Sequence, residues 1–309
     1  NAVQNYKTAF SLKKDLSQVK EKLIELQPKI GDWSLFNFFK DWRKDFILNN
    51  KFEGEPLSLI GIEDDPEFEL LIAKKFYNLN YKSQNKGSYR NHRNKRIKVA
   101  YFSADFKTHP VSILLARIIE LHDKNKFEIY GYSLLSEEDN MTKRLRNSFD
   151  KYIVISDFSN ENAINIIREE NIDIAVDLMG YTRNARVNLF SNRIAPIQIN
   201  FLGYPGTTGN DEMDYLIADK NIIPSEFKKY YSEEILYMPK SYMPFDNTIS
   251  IPDLDISRSK YNLPIDKFIF AAFHRIEKIN PNVINIWSRL LKSMEDSILW
   301  LQEPSDFGK

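Results

Sequence analysis

From residue 97 onward, short apolar runs alternate with segments of helix length, and this alternation constrains the fold more than any other feature. Residues 99–102 are apolar without a polar interruption, which is typical of a strand buried on both faces. Strands separated by helices indicate βαβ units, and so an α/β fold with a mostly parallel sheet and helices on both faces. The predicted strands are 97–103, 127–134, 152–155, 172–178, 197–202, 215–218 and 235–238, and the predicted helices are 111–122, 140–147, 161–170, 186–192 and 225–231.

Residues 1–81 have a different, helical pattern. Ala2, Tyr6, Ala9 and Leu12 recur every three or four residues, which fits one face of a helix. Small and aromatic residues at this spacing are typical of the second helix of a tetratricopeptide repeat, although an ordinary amphipathic helix shows the same spacing. Further helices are predicted at 16–26, after Gly31-Asp32-Trp33 with Phe39 and Trp42 on it, and from Asp65-Pro66 to residue 77.

Three further segments complete the predicted organisation. Residues 82–96 are rich in Lys and Arg without an acid, and we interpret them as a solvated basic linker rather than a nucleic-acid contact. After the α/β region of 97–245, residues 246–266 have no clear periodicity and are predicted to cross between domains. Residues 267–309 then begin a new unit, with strands at 268–273 and 297–301 around a helix at 281–293. One βαβ unit cannot form a stable domain alone, so we expect a second α/β lobe that is cut short.

Composition excludes several classes of function. Lys and Arg number 43 and Asp and Glu number 43, and a net charge of zero argues against nucleic-acid or membrane-surface binding. No apolar run approaches the ~18–20 residues of a membrane span. The chain has no Cys, which excludes disulfides and thiolate metal sites and fits a reducing cytoplasm. Its four His residues lack metal-ligand spacing, so we predict no metal site.

In a parallel α/β sheet, ligands bind at the carboxyl ends of the strands. The first loop at that edge is residues 105–110. Pro110 suits the first position of a helix, which makes His109 the N-cap residue, beside free backbone N–H groups that suit a sugar or phosphate. The carboxylate of Asp105 is placed to accept a proton from a hydroxyl group. The alternative is a His that only caps a helix and an Asp that only closes a turn.

The second loop, residues 202–209, has three Gly and one Pro after a buried strand. Glycine permits positive φ and a close approach of the backbone to a ligand, but a tight surface turn uses the same residues. The third loop, residues 274–281, has Arg275 and Lys278 before a helix with Asn280 as N-cap and Pro281 at its first position. Such an arrangement neutralises a pyrophosphate, although a solvated basic loop has the same composition. The acidic residues at 64–65 and 137–139 are interpreted as helix-entry and loop charges.

These loops resemble the O-GlcNAc transferase (SPINDLY-like) family, in its bacterial form, over about residues 96–301. The resemblance depends on an ordered set of segments rather than on any one of them. The set is Tyr101-Phe-Ser-Ala-Asp-Phe106 with His109-Pro110, Lys126 to Leu134, Gly180-Tyr-Thr182 with Arg186, Ala195-Pro-Ile-Gln198, Leu202-Gly-Tyr-Pro-Gly-Thr-Thr-Gly209, Met213-Asp-Tyr215, Tyr231-Ser-Glu233, Met238-Pro239, Lys278-Ile-Asn-Pro281, Trp287 and Leu299-Trp-Leu301.

The resemblance implies a GT-B architecture, with two Rossmann-like lobes preceded by tetratricopeptide repeats. It implies transfer of N-acetylglucosamine from UDP-GlcNAc to Ser or Thr hydroxyls of an acceptor protein, with inversion and without a metal or other cofactor. By position, His109 contacts the donor sugar and phosphate, Asp105 is one candidate for the general base, and Lys278 stabilises the departing β-phosphate. The remaining donor-binding positions are Pro110, Leu202, Gly203, Tyr204 and Arg275, of which Leu202 and Gly203 line the sugar pocket.

The later C-terminal segments, which hold uracil and ribose in the family, are expected to be missing from this chain. The chain also departs from the family pattern at three places. His274-Arg275 stands where the family commonly has an Asn-Gln pair, Glu277 stands where animal enzymes have Tyr, and an upstream His is replaced near Leu57. A transferase with another UDP-sugar donor and a noncatalytic protein-binding module are therefore alternatives. An incomplete second lobe would expose apolar strand faces and so invite association into homo-oligomers.

Overall fold

A computed structural model describes residues 2–13, 16–36, 55–60, 64–82, 94–250 and 256–302. The chain divides into two compact units, one of residues 65–249 and the other of residues 1–64 with 250–309. The sequence predicts five segments rather than two, and this finer division stays a prediction. The predicted helix with Phe39 and Trp42, and residues 83–93 of the basic linker, lie outside the described residues.

The elements occur in the order expected of βαβ units. The α-helices of the described residues are α1 (Ala2–Leu12), α2 (Ser17–Leu26), α3 (Leu57–Ile60), α4 (Pro66–Asn80), α5 (Pro110–Leu121), α6 (Asn140–Ser148), α7 (Asn160–Glu169), α8 (Val187–Ser191) and α9 (Pro281–Ser293). The strands of the same residues are β1 (Ile97–Ser103), β2 (Phe127–Ser133), β3 (Lys151–Val154), β4 (Ile174–Asp177), β5 (Ile197–Asn200), β6 (Tyr215–Ala218), β7 (Glu234–Tyr237), β8 (Phe268–Ala272) and β9 (Ser297–Leu301).

Seven strands of the unit 65–249 form one sheet in the order β3-β2-β1-β4-β5-β6-β7, and every neighbouring pair is parallel. The predicted α/β fold is thereby confirmed. Its register places Tyr101 beside Gly131 and Val176, so β1 lies in the middle of the sheet. Because the crossovers put helices on both faces, residues 99–102 of β1 are buried and apolar on both sides of the sheet.

Alternate residues of β1 face two separate cores. Phe102 packs in a buried cluster with Ile167 of α7 and Leu189 of α8, whereas Tyr101 packs in a second cluster with Leu115 of α5 and Leu145 of α6. Helices therefore cover both faces of the sheet, and the loops at the carboxyl ends of the strands project from a rigid layer.

Several predicted elements differ from the structure in type or by one to three residues in extent, and two of them show a physical reason. The segment predicted as a helix at 225–231 is a 3₁₀ helix, Ser225–Tyr230, since so short a segment after Pro224 has no side-chain N-cap to start a full α-helix. Strand β4 begins at Ile174 rather than at residue 172, because the side chain of Asp173 accepts a hydrogen bond from the backbone N–H of Lys98, 2.8 Å away.

The unit of residues 1–64 and 250–309 contains α1–α3 and the parallel pair β8–β9 with α9. The predicted βαβ unit near residue 268 is thereby confirmed, with strand β8 one residue shorter than expected. Helix α4 belongs to the other unit, and the side chain of Asp65 caps it by accepting from Phe68 N at 3.0 Å, as the sequence predicts. No helix within the described ranges is long and apolar enough to cross a bilayer.

Candidate active site

The carboxyl ends of β1, β4 and β5 lie side by side in the sheet and carry three loops. The first loop follows β1, residues 178–182 follow β4, and the second loop follows β5. Because parallel strands end at one edge, these loops form one continuous surface in the unit 65–249.

His109 is the N-cap of α5, as predicted, and its Nδ1 accepts from the backbone N–H of Val111 at 3.4 Å. Asp105 Oδ2 lies 3.6 Å from the same nitrogen. The backbone of Asp105 is held on both sides, since its N–H donates to Ser103 Oγ at 2.9 Å and its carbonyl accepts from Ser112. A partly exposed carboxylate and an imidazole are thus brought together at the start of a helix, a combination suited to proton transfer and to anion binding.

A neighbouring loop fixes the first loop from the side. The Asp139 carboxylate accepts from Thr108 N at 2.6 Å with one oxygen and from Thr142 N at 2.9 Å with the other. Thr142 Oγ1 accepts in return from Asp139 N at 3.0 Å, so Asp139 is also the N-cap of α6. Hydrogen bonds from Thr108 and Thr142 hold the pKa of Asp139 well below its usual range.

Asp139 is therefore a helix-entry charge, as interpreted from the sequence, and its bond to Thr108 is a further contact that the sequence does not predict. The signal for the cap is Asp139 directly before the helix predicted at 140–147, since Asp is a preferred N-cap residue. Of the two Glu residues, Glu137 forms an ion pair with Lys107 of the first loop and Glu138 forms one with Arg146.

Backbone contacts shape the second loop. A Cβ atom on Gly203 would lie 1.8 Å from the carbonyl oxygen of Leu178, and one on Gly180 would lie 2.5 Å from the Cβ of Tyr204. Leu202 adopts φ +71°, a left-handed conformation that is rare for a non-glycine residue. The loops after β4 and β5 therefore touch at Gly203, which explains one of the three glycines of the second loop.

Tyr204 is buried, and its ring packs edge-on against Tyr181 with ring centroids 5.4 Å apart. Burial raises the pKa of Tyr204 well above its ordinary value. The structure therefore shows a packing role for this side chain, and its contact with a donor stays a prediction.

Two buried carboxylates outside the predicted site residues hold the loops after β4 and β5. Glu233 accepts from Thr207 Oγ1 and from Thr208 N, both at 2.7 Å. Asp177, at the end of β4, accepts from Met179 N at 2.9 Å and from Gly180 N at 3.2 Å. Burial raises the pKa of Asp177 to about 6. Sequence spacing contains no signal for either contact, because each depends on the fold of a loop.

The third loop belongs to the other unit. Arg275 and Lys278 are exposed, and Lys278 ends a single 3₁₀ turn, Ile276–Lys278. Asn280 caps α9 as predicted, accepting from Val283 N at 3.0 Å, and Pro281 occupies the first position of the helix. Two cations thus stand just before a helix N-terminus, an arrangement that favours an anionic group.

Comparison with known proteins identifies the family. The model of glycosyl transferase family 41 matches residues 70–257 and 253–308. The chain belongs to glycosyl transferase family 41. The resemblance on which the sequence analysis depended is thereby confirmed, and the seven-stranded sheet is the Rossmann-like lobe of a GT-B glycosyltransferase.

Several family 41 proteins are similar to this chain. It is 35% identical over 214 residues to the probable UDP-N-acetylglucosamine–peptide N-acetylglucosaminyltransferase SEC of Arabidopsis thaliana, covering 67% of this chain and 22% of that protein. It is 34% identical over 149 residues to the UDP-N-acetylglucosamine–peptide N-acetylglucosaminyltransferase of Caenorhabditis elegans, covering 48% of this chain and 13% of that protein. The chain spans about a fifth of the Arabidopsis relative.

Among solved structures, the fold is similar to that of a mutant O-GlcNAc transferase of Thermobaculum terrenum, with a TM-score of 0.77 and 24% identity. The match covers 97% of this chain and 57% of that one. It supports the family 41 fold for both units of the chain.

The candidate site residues of this family 41 chain lie in both units. Asp105, His109 and Pro110 adjoin one another, and Leu202, Gly203 and Tyr204 lie on the same edge of the sheet. Arg275 and Lys278 stand in the unit that holds α9. Within the described residues, no group of three or more His, Asp or Glu side chains is arranged to hold a metal ion.

Proposed function

We propose that this family 41 chain contributes the catalytic residues of an inverting transferase that moves N-acetylglucosamine from UDP-GlcNAc to Ser or Thr hydroxyls of proteins. The observation that carries the proposal is the pairing of Asp105 with His109 at the start of α5, on the edge where a parallel sheet binds its ligands. Family membership supports the reaction class, and the names of the relatives support the donor and acceptor.

In the proposed reaction, the acceptor hydroxyl oxygen attacks the anomeric carbon of the sugar. The bond from that carbon to the β-phosphate oxygen breaks, and UDP leaves with the bonding electron pair. Asp105 is one candidate to receive the hydroxyl proton, which would move to its carboxylate oxygen as the new glycosidic bond forms. Attack from the face opposite the departing phosphate inverts the anomeric configuration.

His109 and the free N–H groups at the start of α5 would bind the donor sugar and phosphate. The backbone of Leu202 and Gly203 would line the sugar pocket, with Pro110 and Tyr204 beside it. Negative charge grows on UDP in the transition state, and Lys278 with Arg275 would neutralise it. We propose that these cations take the part that a metal ion plays elsewhere, so the reaction needs no metal or other cofactor.

The experiment is a transfer assay on the chain with Ser- and Thr-containing peptides, read by mass spectrometry. UDP-GlcNAc should give a peptide heavier by one N-acetylhexosamine, and His109→Ala should abolish the product. His122→Ala is the matched control, because His122 stands at the opposite end of α5. Absence of product with every UDP-sugar, together with no UDP binding in calorimetry, would favour a noncatalytic binding module.

A second candidate is a transferase with a different UDP-sugar, and His274-Arg275 together with Glu277 favours testing it. Replacing UDP-GlcNAc with UDP-glucose or UDP-GalNAc in the same assay separates the two candidates. A cytoplasmic location without membrane or nucleic-acid partners belongs to the same proposal. Association of copies through the exposed apolar residues of β8 and α9 is a separate proposal that light scattering checks.

A further inference from the structure

Two 3₁₀ turns from opposite ends of the chain meet within one unit. The first is Pro28–Ile30, which ends at Gly31, and the second is Ile276–Lys278 of the third loop. A Cβ atom added to Gly31 would lie 2.9 Å from Ile276 Cδ1 and 3.4 Å from its Cγ1. The tip of the Ile276 side chain therefore rests on the bare backbone of Gly31, at a distance that only glycine permits.

The Gly31 side of this contact is firmly held. Gly31 adopts φ +66°, and its N–H donates to the carbonyl of Pro28 at 3.0 Å. The next residue, Asp32, accepts from Gln27 Nε2 at 3.1 Å and from Ser34 N at 3.0 Å, and it forms an ion pair with Lys7 of α1.

Although burial opposes ionisation of Asp32, hydrogen bonds from Lys7 and Ser34 hold the pKa of its carboxyl well below the usual range. The ion pair therefore persists at neutral pH. Because Lys7 lies on α1 and Gln27 directly follows α2, Asp32 ties the Gly31 turn to both helices.

The third loop has little support of its own. Its 3₁₀ turn is three residues long, and such turns have poorer hydrogen-bond geometry than an α-helix. Arg275 and Lys278 are exposed, and Ile276 is half-buried. Beyond the backbone bonds of the turn itself, the Asn280 cap supports Lys278 on one side and the contact of Ile276 with Gly31 supports it on the other.

We propose that Gly31 and Ile276 form a positioning contact, through which the N-terminal helical segment fixes Lys278 for departure of the nucleoside diphosphate. The inference rests on the proposed function, because it assigns Lys278 to the leaving phosphate. Neither Gly31 nor Ile276 touches the donor in this proposal. Both residues act only by determining where the Lys278 ammonium group lies.

A double-mutant cycle tests the contact. Ile276→Val removes the Cδ1 atom that a new Cβ at position 31 would meet, so the shorter side chain makes room for the methyl group that Gly31→Ala adds. An alanine with φ near +66° is strained, but the strain is the same with isoleucine and with valine at position 276 and cancels in the cycle. The four proteins are the unaltered chain, Gly31→Ala, Ile276→Val and the double variant, each assayed for kcat and for the KM of UDP-GlcNAc.

We expect Gly31→Ala to lower kcat by about tenfold with KM changed less than about twofold, since a displacement of ~1 Å in a catalytic group lowers rate by up to ~10²-fold. Ile276→Val alone should stay within about twofold of the unaltered chain. The double variant should recover to within about threefold. Each kcat is calculated per folded protein, with the folded fraction taken from the melting curve. A purely structural role of Gly31 would lose and regain folded protein and leave this kcat unchanged, so loss and rescue of kcat per folded protein report positioning.

Asn262 supplies the matched control, because it ends a different 3₁₀ turn of the same unit with φ +55°. Asn262→Ala should lower the melting temperature and leave kcat unchanged. An equal loss of kcat from Gly31→Ala whether position 276 holds isoleucine or valine, a loss confined to KM, or no loss would overturn the positioning contact. Absence of transfer by the unaltered chain with every UDP-sugar, together with no UDP binding in calorimetry, would instead count against the proposed function, so the two failures are distinguishable.

Discussion

Two groups of loops are held in different ways. One group is the strand-end loops of the unit 65–249, which are residues 105–110, 178–182 and 202–209. The other is the third loop, residues 274–281, of the other unit. In the strand-end loops, carboxylates accept hydrogen bonds directly from the loop backbone. Asp139 accepts from Thr108 N, and Asp177 accepts from Met179 N. At Gly203, the backbone carbonyl of Leu178 excludes any side chain. In the third loop, Lys278 is exposed, and besides the bonds of its own short turn it is supported by the contact of Ile276 with Gly31 and by the Asn280 cap.

This difference fits the two proposed tasks. A sugar pocket must discriminate shape, and rigid backbone walls do that without reorganisation when the donor binds. A leaving phosphate needs a cation whose charge acts over a longer distance, so its loop tolerates weaker support. Substitutions in the strand-end loops should therefore lower mainly the free energy of unfolding, whereas substitutions in the third loop should lower mainly kcat.

The largest expected effect is on rate. Lys278→Ala should lower kcat by about 10²–10³-fold, because loss of one group that stabilises developing charge has an effect of this size. Melting temperature and the affinity for UDP-GlcNAc should change little, since the side chain is exposed and its proposed interaction strengthens in the transition state. Steady-state kinetics with calorimetry measures both quantities. Lys292→Ala, at the far end of α9, is the control for loss of one positive charge.

Gly203→Ala should give the largest loss of stability. The new Cβ would lie 1.8 Å from a backbone oxygen, so the loops after β4 and β5 must separate, and the free energy of unfolding should fall by about 3 kcal/mol. Urea denaturation measures the loss. In Gly131→Ala, the new Cβ would meet the ring of Phe149 at 2.6 Å, and a ring shifts more easily than a backbone. A greater loss at Gly131 would contradict the view that backbone walls make the strand-end loops rigid.

The sequence predicts the parts of this molecule that depend on local chemistry. Periodicity predicts the strands, and capping residues predict the starts of α4, α5 and α9 at Asp65, His109 and Asn280. Parallel strand ends bring together the loops that hold Asp105, His109 and Gly203, because topology alone decides which strand ends are neighbours.

The remainder depends on contacts between distant residues. Glu233 accepts a hydrogen bond from Thr208 N, 25 positions earlier in the sequence. Ile276 contacts Gly31, which lies near the other end of the chain. One sequence shows no pairing between such positions. Asp139 is an intermediate case, since its capping of Thr142 is local and its bond to Thr108 is not.

Asp177 predicts a pH effect within the strand-end loops. Burial raises its folded-state pKa to about 6, whereas an unfolded Asp has a pKa of about 4. Between these values the folded state keeps a proton that the unfolded state has lost. The stabilisation from this group is therefore complete below about pH 4 and is lost as the pH rises through 6, by about 3 kcal/mol in total.

Asp177→Asn should remove this dependence, because its amide does not titrate. The free energy of unfolding of the variant minus that of the unaltered chain, from urea titrations between about pH 4 and about pH 7, should rise with pH. Any loss from the missing acceptor oxygen is constant and does not affect the slope. A flat difference across this interval would show that the carboxylate is solvated, and that the loop after β4 is less rigid than the contacts indicate.

The smallest expected effect separates a helix cap from a contact between loops. Asp139 caps α6 and also bonds Thr108, whereas Ser159 caps α7 by accepting from Asn162 N at 3.2 Å. Ser159→Ala should lower stability by about 1 kcal/mol, the usual loss for a cap, and leave kcat unchanged. Asp139→Ala should lower the melting temperature similarly and also lower kcat about threefold, because His109 follows Thr108 directly. Asp139→Ser keeps a cap for α6 without a second oxygen for Thr108, so it should regain stability but not rate. Recovery of both would mean that the first loop is positioned through α6 alone.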